Sequence, residues 1–439
     1  MHRVGILCDH VTPQRWHHPS SIIHHPSSST HHSSSSHNEP WSSSTLFLLL
    51  TRLTNALPWP EGQEEVTATV TPSGCAILTL NRPSALNALN LNMCAVILSN
   101  LLQWRSNPHI HCVILIGAPL EQLQHAKAFC AGGDVNLLTN PPYARYPYEF
   151  FLVEYAMDMV VSEYPKPVVA MMTGITMGGG VGLSWPAMLR IVTDQSLWAM
   201  PETAIGLFPD VGATHWLARG GCRHGIGMFL GLTGSRLNAM DCIDLGIATH
   251  YIAPHLLSAF LSHLMKHVKD GPLVALSHFA STPTLSPRLH PLTLPSIRAI
   301  FHSPANLLTI MDALQQCQSA TTDTTLSGWA TTTLTALQSA SPVSLKVTHH
   351  AIARAMTAAT TRETFNFEFR LVCRLSTSAD FKTGVRSVVL SKGKHGPPLW
   401  SPSHLSLVTE DAVRDTVAPL DLHADHIPEY SVLISNIYQ

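Results

Sequence analysis

Charged residues are scarce in this chain of 439 residues. They make up only 12% of it, and 26 Lys and Arg stand against 28 Asp and Glu. No basic stripe is present to pair with phosphates, which excludes nucleic-acid binding. The nine cysteines contain no C-x-x-C pair, so we expect neither a disulfide framework nor a zinc site, and a reducing compartment is indicated. No apolar run approaches the ~20 residues of a membrane-spanning helix, so no membrane segment is predicted.

What the chain does contain is a run of glycines between two apolar segments. Residues 174–182, GITMGGGVG, follow the strand-like run Pro167–Met172 and lead into a helix-like one. Three consecutive glycines leave the backbone open to close approach by a ligand. If a helix begins there, its free N–H groups favour a developing negative charge. A close-packed strand-to-helix crossover without a ligand is the alternative interpretation.

Two further segments carry groups that could act together with this turn. Residues 127–134, KAFCAGGD, form a second turn of small residues after an apolar run. Residues 199–212, AMPETAIGLFPDVG, hold Glu202 and Asp210 between prolines and glycines. Taken alone, Glu202 is typical of a helix start and Asp210 of a turn. Together, two N–H donors beside two carboxylates favour chemistry at an acyl carbonyl.

These segments resemble the crotonase (enoyl-CoA hydratase/isomerase) superfamily, and residues 199–212 are similar to its 3-hydroxyisobutyryl-CoA hydrolase branch. The resemblance covers about residues 64–412. It includes, in order, the segments 80–83, 87–89, 232–234, 246–251, 341–346, 368–371 and 380–386. It implies an α/β fold, the crotonase (ClpP-like) spiral of ββα units with a C-terminal helical region. It also implies acyl-CoA thioesters as substrates.

One position in the glycine segment separates two reactions of the superfamily. Similar hydratases carry a glutamate two residues after the glycine triplet, where this chain has Gly182. Their second glutamate corresponds to Glu202, and Asp210 stands where they commonly have glycine. The resemblance therefore implies a thioesterase that hydrolyses 3-hydroxyisobutyryl-CoA, or a related short-chain 3-hydroxyacyl-CoA, to the free hydroxy acid and CoA, as in mitochondrial valine degradation. It implies no metal and no cofactor, because CoA is part of the substrate.

The resemblance also assigns roles to individual residues. The thioester oxygen would lie between the amide of Gly179 and an amide of Cys130 or Ala131, which form the oxyanion hole. Glu202 would either attack the carbonyl carbon or activate a water molecule. Asp210 would orient the substrate's 3-hydroxyl or the water, and its proximity to Glu202 would raise the pKa of one of the two carboxyls.

Two further side chains are open to more than one interpretation. Glu154 looks like a substrate-contacting glutamate of the hydrolases, although a solvated helix position is the ordinary interpretation of such a residue alone. Cys130, with His125 five residues upstream, makes a thiol nucleophile conceivable. The superfamily uses the main chain at this place, so we expect the backbone of Cys130 to act.

The first 63 residues differ in composition from the rest. They are rich in serine and histidine without periodicity, which predicts low-complexity disorder rather than a metal site. Arg3, Arg15 and Arg52 with few acidic residues are also typical of an organelle transit peptide. With the resemblance, this composition predicts the mitochondrial matrix.

The remaining chain divides into a core, a helical region and a tail. Residues 64–255 alternate strands and helices, which indicates an α/β core. Residues 256–416 are helical, and relatives use this region to cover the site and complete the CoA pocket; residues 417–439 are a tail. The elements predicted in the core are strands at 76–80, 112–116, 168–172 and 190–194 and a helix at 91–104.

Two other functions remain open. A hydratase or isomerase would be favoured if the folded chain placed another carboxylate, such as Glu154, opposite Glu202. A non-catalytic role, as a component of a mitochondrial ribosome, is known among relatives, but it predicts basic tails that this chain lacks. The partners expected are therefore an acyl-CoA substrate, no nucleic acid and no membrane, and the chain could form a homo-oligomer.

Overall fold

Nine strands form two sheets in the computed structural model, which describes residues 64–302, 306–394 and 396–419. The strands are β1 Val66–Val70, β2 Cys75–Leu80, β3 Cys112–Ile116, β4 Ala128–Cys130, β5 Val168–Met171, β6 Ile175–Met177, β7 Leu189–Val192, β8 Leu197–Ala199 and β9 His250–Tyr251. The larger sheet has the order β1-β2-β3-β5-β7-β9, and the smaller has the order β4-β6-β8.

The chain alternates between the two sheets. β3, β5 and β7 lie in the larger sheet, and each is followed by one strand of the smaller sheet. Apart from the β1–β2 pair, the paired strands are parallel. This repeated pair of strands is the predicted spiral, so the fold class is confirmed. The strand predictions are confirmed as well, with ends that shift by one or two residues.

Sixteen α-helices lie in the described residues. They are α1 Leu91–Arg105, α2 Val135–Thr139, α3 Tyr146–Ser162, α4 Gly179–Ser184, α5 Ala213–Leu217, α6 Ile226–Thr233, α7 Ala239–Asp244, α8 Leu257–Lys266, α9 Pro272–Leu276, α10 Leu294–Ile300, α11 Leu307–Ala320, α12 Thr324–Ser339, α13 Pro342–Ala355, α14 Thr361–Leu375, α15 Ala379–Gly384 and α16 Glu410–Val417. None of them is long and apolar enough to cross a membrane.

The helix α3 is central to the site because it is buried on nearly all sides. All of its residues from Phe150 to Val161 are buried, as expected of a helix inside the core rather than on its surface. It packs against α1, which begins at Leu91 after Asn90 caps it by accepting a hydrogen bond from Met93 N at 2.9 Å. Acidic side chains on α3 consequently point into the protein.

The C-terminal helices share one hydrophobic core with the sheets. That core extends from Val66 in β1 to Val385, which begins a π-helical turn, Val385–Leu390, after α15. An ion pair joins α14 to the end of α3, with Arg362 Nη2 at 2.7 Å from Glu163 Oε2. The predicted disordered segment 1–63 and residues 420–439 of the predicted tail lie outside the described residues.

Candidate active site

A cavity of about 260 Å³ lies where the two sheets meet the C-terminal region. Its floor consists of the turns that follow β4 and β6. Glu154, Glu202 and Asp210 line it, and Arg236 also lines it. Its apolar wall consists of Val135, Leu138, Phe150, Phe151, Ile205, Leu207, Val388 and Val389. Both regions of the chain therefore contribute to the wall.

The two glycine-rich turns touch each other. β4 and β6 are parallel neighbours, so their carboxyl ends meet at one edge of the smaller sheet. Gly132 has a φ of +102°, and a Cβ atom there would lie 3.7 Å from Gly179 N. A Cβ atom at Gly180 would lie 2.8 Å from Cys130 Cβ. A side chain at Gly180 would separate the turns, whereas at Gly132 the positive φ is what favours glycine.

The predicted oxyanion donors differ in how they lie with respect to the cavity, which Gly179 and Ala131 line. Gly179 is the first residue of α4, where an N–H group has no acceptor within the helix. Ala131 N–H already donates to Leu86 O at 3.0 Å. Cys130 is completely buried in β4 and does not line the cavity, whereas Ala131 does. The assignment of the second amide to Cys130 or Ala131 therefore stays a prediction.

Glu154 and Glu202 both lie beside the glycine turn. A Cβ atom at Gly179 would overlap Glu154 Oε1, and one at Gly178 would lie 3.1 Å from Glu202 Oε1. Glu154 is 2% exposed, so its interpretation as a solvated helix residue is wrong. Glu202 begins a 3-10 turn after Pro201, and its Oε2 atom has no hydrogen-bond partner.

Asp210 lies in the turn before α5, and it is 4% exposed. Its Oδ2 atom accepts a hydrogen bond from the Tyr155 hydroxyl at 3.2 Å. Burial raises the pKa of Asp210 to about 7, and the bond from Tyr155 opposes that shift. Sequence reasoning missed Tyr155, because nothing in the residue pattern shows that α3 passes beside this turn.

Burial dominates the electrostatics of the three carboxyls. It raises the pKa of Glu202 well above its usual range, and the charge of Asp210 adds to that shift. The pKa of Glu154 rises for the same first reason, with further contributions from Asp158, Asp210 and Glu202. The predicted repulsion between Glu202 and Asp210 is present, but it is smaller than the effect of burial.

The residue Asp158 was not predicted. It lies one helical turn after Glu154, is completely buried, and neither of its carboxyl oxygens has a hydrogen-bond partner. A Cβ atom at Gly182 would overlap Asp158 Oδ2 and lie 2.6 Å from Val211 Cβ. The place where a side chain at residue 182 would begin is therefore filled. The spacing from Glu154 was the signal in the sequence that could have found Asp158.

The thiol of Cys130 is not equipped to act as a nucleophile. Burial raises its pKa to about 12, so it is protonated near neutral pH. His125 lines a second cavity instead, of about 320 Å³, together with Pro83, Lys127 and Ala128. No group of three or more His, Cys, Asp or Glu side chains in the described part of the chain could hold a metal ion.

The chain matches one protein family over most of its length. The family model described as enoyl-CoA hydratase/isomerase matches residues 75–417. The mitochondrial 3-hydroxyisobutyryl-CoA hydrolase of Xenopus tropicalis is 35% identical over 354 residues, which are 78% of this chain and 86% of the frog protein. The mitochondrial protein of the same name from Homo sapiens is 35% identical over 77% of this chain and 85% of its own length.

Two solved structures resemble the described fold. A carnitinyl-CoA dehydratase from Mycobacterium thermoresistibile has a TM-score of 0.70 and 31% identity, with coverage of 82% of this chain and 98% of that protein. An enoyl-CoA hydratase from Rhodobacter sphaeroides 2.4.1 has a TM-score of 0.68 and 33% identity, with coverage of 81% and 98%. The structural relatives therefore carry names of a different reaction from the hydrolases.

Proposed function

The chain belongs to the enoyl-CoA hydratase/isomerase family, and we propose that it hydrolyses the thioester of 3-hydroxyisobutyryl-CoA or of a related short-chain 3-hydroxyacyl-CoA. The products are the free hydroxy acid and CoA. The names and the extent of the hydrolase relatives support this assignment. The geometry of the carboxyls around the glycine turn supplies the mechanism.

The first element of the mechanism is an oxyanion hole formed by Gly179 N–H and a second amide, that of Cys130 or Ala131. The thioester carbonyl oxygen lies between these donors and becomes negative when the carbonyl carbon is attacked. A preorganised donor of this kind typically contributes ~3 kcal/mol to the reduction of the barrier. The rigid contact between the two glycine-rich turns supports this role, since it leaves the donors little freedom to move.

Glu202 carries the attack by one of two routes. In the first, its carboxylate adds to the carbonyl carbon, the C–S bond breaks, CoA leaves, and water hydrolyses the resulting mixed anhydride. In the second, Glu202 takes a proton from water while the water oxygen forms the new C–O bond and the C–S bond breaks. Both routes consume one water molecule and need no cofactor.

Asp210 acts beside Glu202 on the 3-hydroxyl group or on the water. Its pKa of about 7 allows it to accept or release a proton near neutral pH. Glu154, beside the same glycine turn, contacts the acyl group. The hydrogen bond from Tyr155 favours the ionised form of Asp210, which accepts a hydrogen bond from the 3-hydroxyl group or from the water.

The second cavity is suited to the nucleotide part of CoA. Lys127 and His125 line it and can neutralise phosphate oxygens. Ala128 lines this cavity, while Ala131 lines the first. Ala128 and Ala131 are three residues apart, which in an extended chain is a distance of about 10 Å. The two cavities are therefore close enough for one elongated molecule to occupy both.

Position 182 is the observation that carries the choice of hydrolysis. It has no side chain, and Asp158 and Val211 leave no room for one. Residue 182 therefore supplies no carboxylate to a C=C bond, and Asp158, whose carboxyl fills this place, does not line the cavity.

Hydration of an enoyl-CoA is the second candidate, and one observation favours it. Glu154 and Glu202 both lie beside the glycine turn and both line the cavity, so two carboxyls are present there. The solved relatives named dehydratase and hydratase add to this alternative. Glu154 would then replace the glutamate that position 182 lacks.

Wild-type protein distinguishes the two reactions directly. We expect CoA release from 3-hydroxyisobutyryl-CoA, followed with a thiol reagent, and no loss of the enoyl absorbance of crotonyl-CoA. Hydration of crotonyl-CoA that Glu154→Gln abolishes would establish the hydratase instead. Protein that acts on neither thioester would point to the non-catalytic role.

We also propose a location in the mitochondrial matrix. The frog and human relatives are named mitochondrial, and the arginine- and serine-containing segment 1–63 is compatible with an import signal. Import of the full chain into isolated mitochondria, with protection from added protease, tests this location. A chain that stays accessible to the protease contradicts it.

A further inference from the structure

Glu368 does not line the active-site cavity, yet it holds the turn that carries Asp210. It lies on α14 and is completely buried. Its carboxylate accepts hydrogen bonds from Gly212 N at 2.6 Å, from Thr214 N at 3.0 Å and from the hydroxyl of Thr214. All three donors follow Asp210 by two to four residues. A single side chain of the C-terminal region therefore binds the backbone beside a candidate catalytic residue.

The turn needs such a partner because its backbone is strained. Val211 has a φ of +56°, which is rare for a β-branched residue, and Gly212 has a φ of +81°. Conformations of this kind persist only where the surroundings enforce them. Phe365, also on α14, closes the other side, since a Cβ atom at Gly212 would lie 2.6 Å from its ring. The turn is thus fixed from α14 by one hydrogen-bonding residue and one ring.

The same helix, α14, also fixes Tyr155. Among the hydrogen bonds of the described residues, Tyr155 is the only side chain that donates to Asp210. The Tyr155 ring stands edge-on to Phe365 and Phe369, with centroids 5.7 and 5.6 Å apart. Its hydroxyl donates to Asp210 Oδ2. Phe365, Glu368 and Phe369 are spaced as neighbours on one face of a helix. One face of α14 therefore reaches Asp210 through its turn and through Tyr155.

We infer that Glu368 and Tyr155 are positioning residues for Asp210, so that the C-terminal helix α14 sets the geometry of the reaction and does more than cover the site. This inference rests on the proposed role of Asp210 in hydrolysis. Displacement of a reacting group by about 1 Å can reduce a rate on the order of 100-fold. Loss of either contact should therefore lower kcat even in a folded protein.

The test compares the full chain carrying Glu368→Gln with a matched control, Asp241→Asn. Asp241 is also a buried carboxylate that accepts three backbone N–H groups, from Asn238, Arg288 and Leu289, each at 3.0 Å. It does not line the cavity. Assays run well below the melting temperature of each variant, with circular dichroism as the measure of folding. We expect Glu368→Gln to lower kcat for CoA release by about 10- to 100-fold and Asp241→Asn to leave it unchanged.

Two milder variants keep the test decisive if Glu368→Gln does not fold. Thr214→Val removes one donor to Glu368 and should lower kcat severalfold. Tyr155→Phe removes the bond that lowers the pKa of Asp210, so the limb of the pH profile that Asp210 governs should move to higher pH. The titratable groups that interact with Asp210 are Glu154, Tyr155, Asp158, Glu202 and Glu368. Each variant keeps all of them except the residue that it replaces.

The outcomes separate this inference from the proposed function. If Asp210→Asn retains full CoA release, the role of Asp210 fails, and the inference fails with it. If Asp210→Asn loses activity while Thr214→Val and Tyr155→Phe keep the kcat and the pH profile of the wild type, only the inference is overturned. Equal losses in Glu368→Gln and Asp241→Asn would likewise reduce Glu368 to a structural residue.

Discussion

At the scale of single residues, the missing side chain at position 182 and the buried carboxyl of Asp158 depend on each other. Gly182 leaves space that Asp158 Oδ2 and Val211 occupy. A larger residue at 182 would force both to move, and close-packed interiors accommodate such changes poorly. Position 182 therefore bears both on the proposed reaction and on the packing of Asp158 and Val211.

We predict that Gly182→Ala destabilises the protein by about 1–3 kcal/mol, because the added methyl group overlaps Asp158 and Val211. The free energy of unfolding in urea measures this loss. Gly328→Ala is the control: Gly328 lies in α12 with nothing within 4 Å of an added Cβ, so alanine there should add up to about 1 kcal/mol. A Gly182→Ala variant as stable as the wild type would show that Asp158 does not fill this place.

The buried carboxyl of Asp158 should also make the stability of the protein depend on pH. Burial, followed by the charges of Asp210 and Glu368, raises its pKa well above the usual value. The folded state therefore holds this proton more tightly than the unfolded state, and its contribution to stability is complete below about pH 4 and is lost as the pH rises through the folded pKa.

Asp158→Asn cannot lose that proton. Its stability relative to the wild type should grow as the pH rises from about 4, near the ordinary pKa of an aspartate, to about 8. Melting temperatures across this range measure the difference. A difference that does not vary with pH would mean that Asp158 is not buried as a protonated acid.

The residues that the sequence identified are those with a local signal. Gly179, Glu202 and Asp210 lie in turns rich in glycine and proline, which residue types alone indicate. Asp158 is marked only by its spacing of one helical turn from Glu154. Glu368 has no such signal, because it binds Thr214, 154 residues earlier in the chain. Long-range contacts of this kind depend on how helices pack, which periodicity does not show.

At the scale of elements, the π-helical turn Val385–Leu390 brings the C-terminal region into the wall of the acyl cavity. Val388 and Val389 line the cavity, and each is 40% exposed. The sequence predicted a helical region over the site, but neither the turn nor these side chains. A π-helical turn has no distinct pattern of apolar residues, since it differs from an α-helix only in that its hydrogen bonds join residues five apart in the chain instead of four.

We predict that Val389→Ala lowers kcat/KM for 3-hydroxyisobutyryl-CoA by about fivefold. A buried methylene contributes ~0.8 kcal/mol, and the half-exposed position loses about 1 kcal/mol in all. Steady-state kinetics measure the change. Leu390→Ala, in the same turn, is 48% exposed and does not line the cavity, so it should behave as the wild type. Equal effects of the two variants would remove this turn from the acyl site.

At the scale of the whole molecule, one hydrophobic core joins the sheets to the C-terminal helices. The catalytic turns come from the sheets, whereas part of the cavity wall and Glu368 come from the helices. The boundary predicted near residue 255 follows the change from alternating strands and helices to helices alone, and it describes the order of elements along the chain. The site belongs to both parts.

The central claim is that Glu202 and Asp210 hydrolyse a 3-hydroxyacyl-CoA thioester. The rate of CoA release from 3-hydroxyisobutyryl-CoA by the full chain, beside Glu202→Gln and Asp210→Asn, tests it most directly. Loss of general-base or nucleophilic catalysis should lower kcat by about 10²–10⁴-fold in Glu202→Gln, with a smaller loss in Asp210→Asn and folding intact in both. CoA release at the wild-type rate in Glu202→Gln would contradict this account.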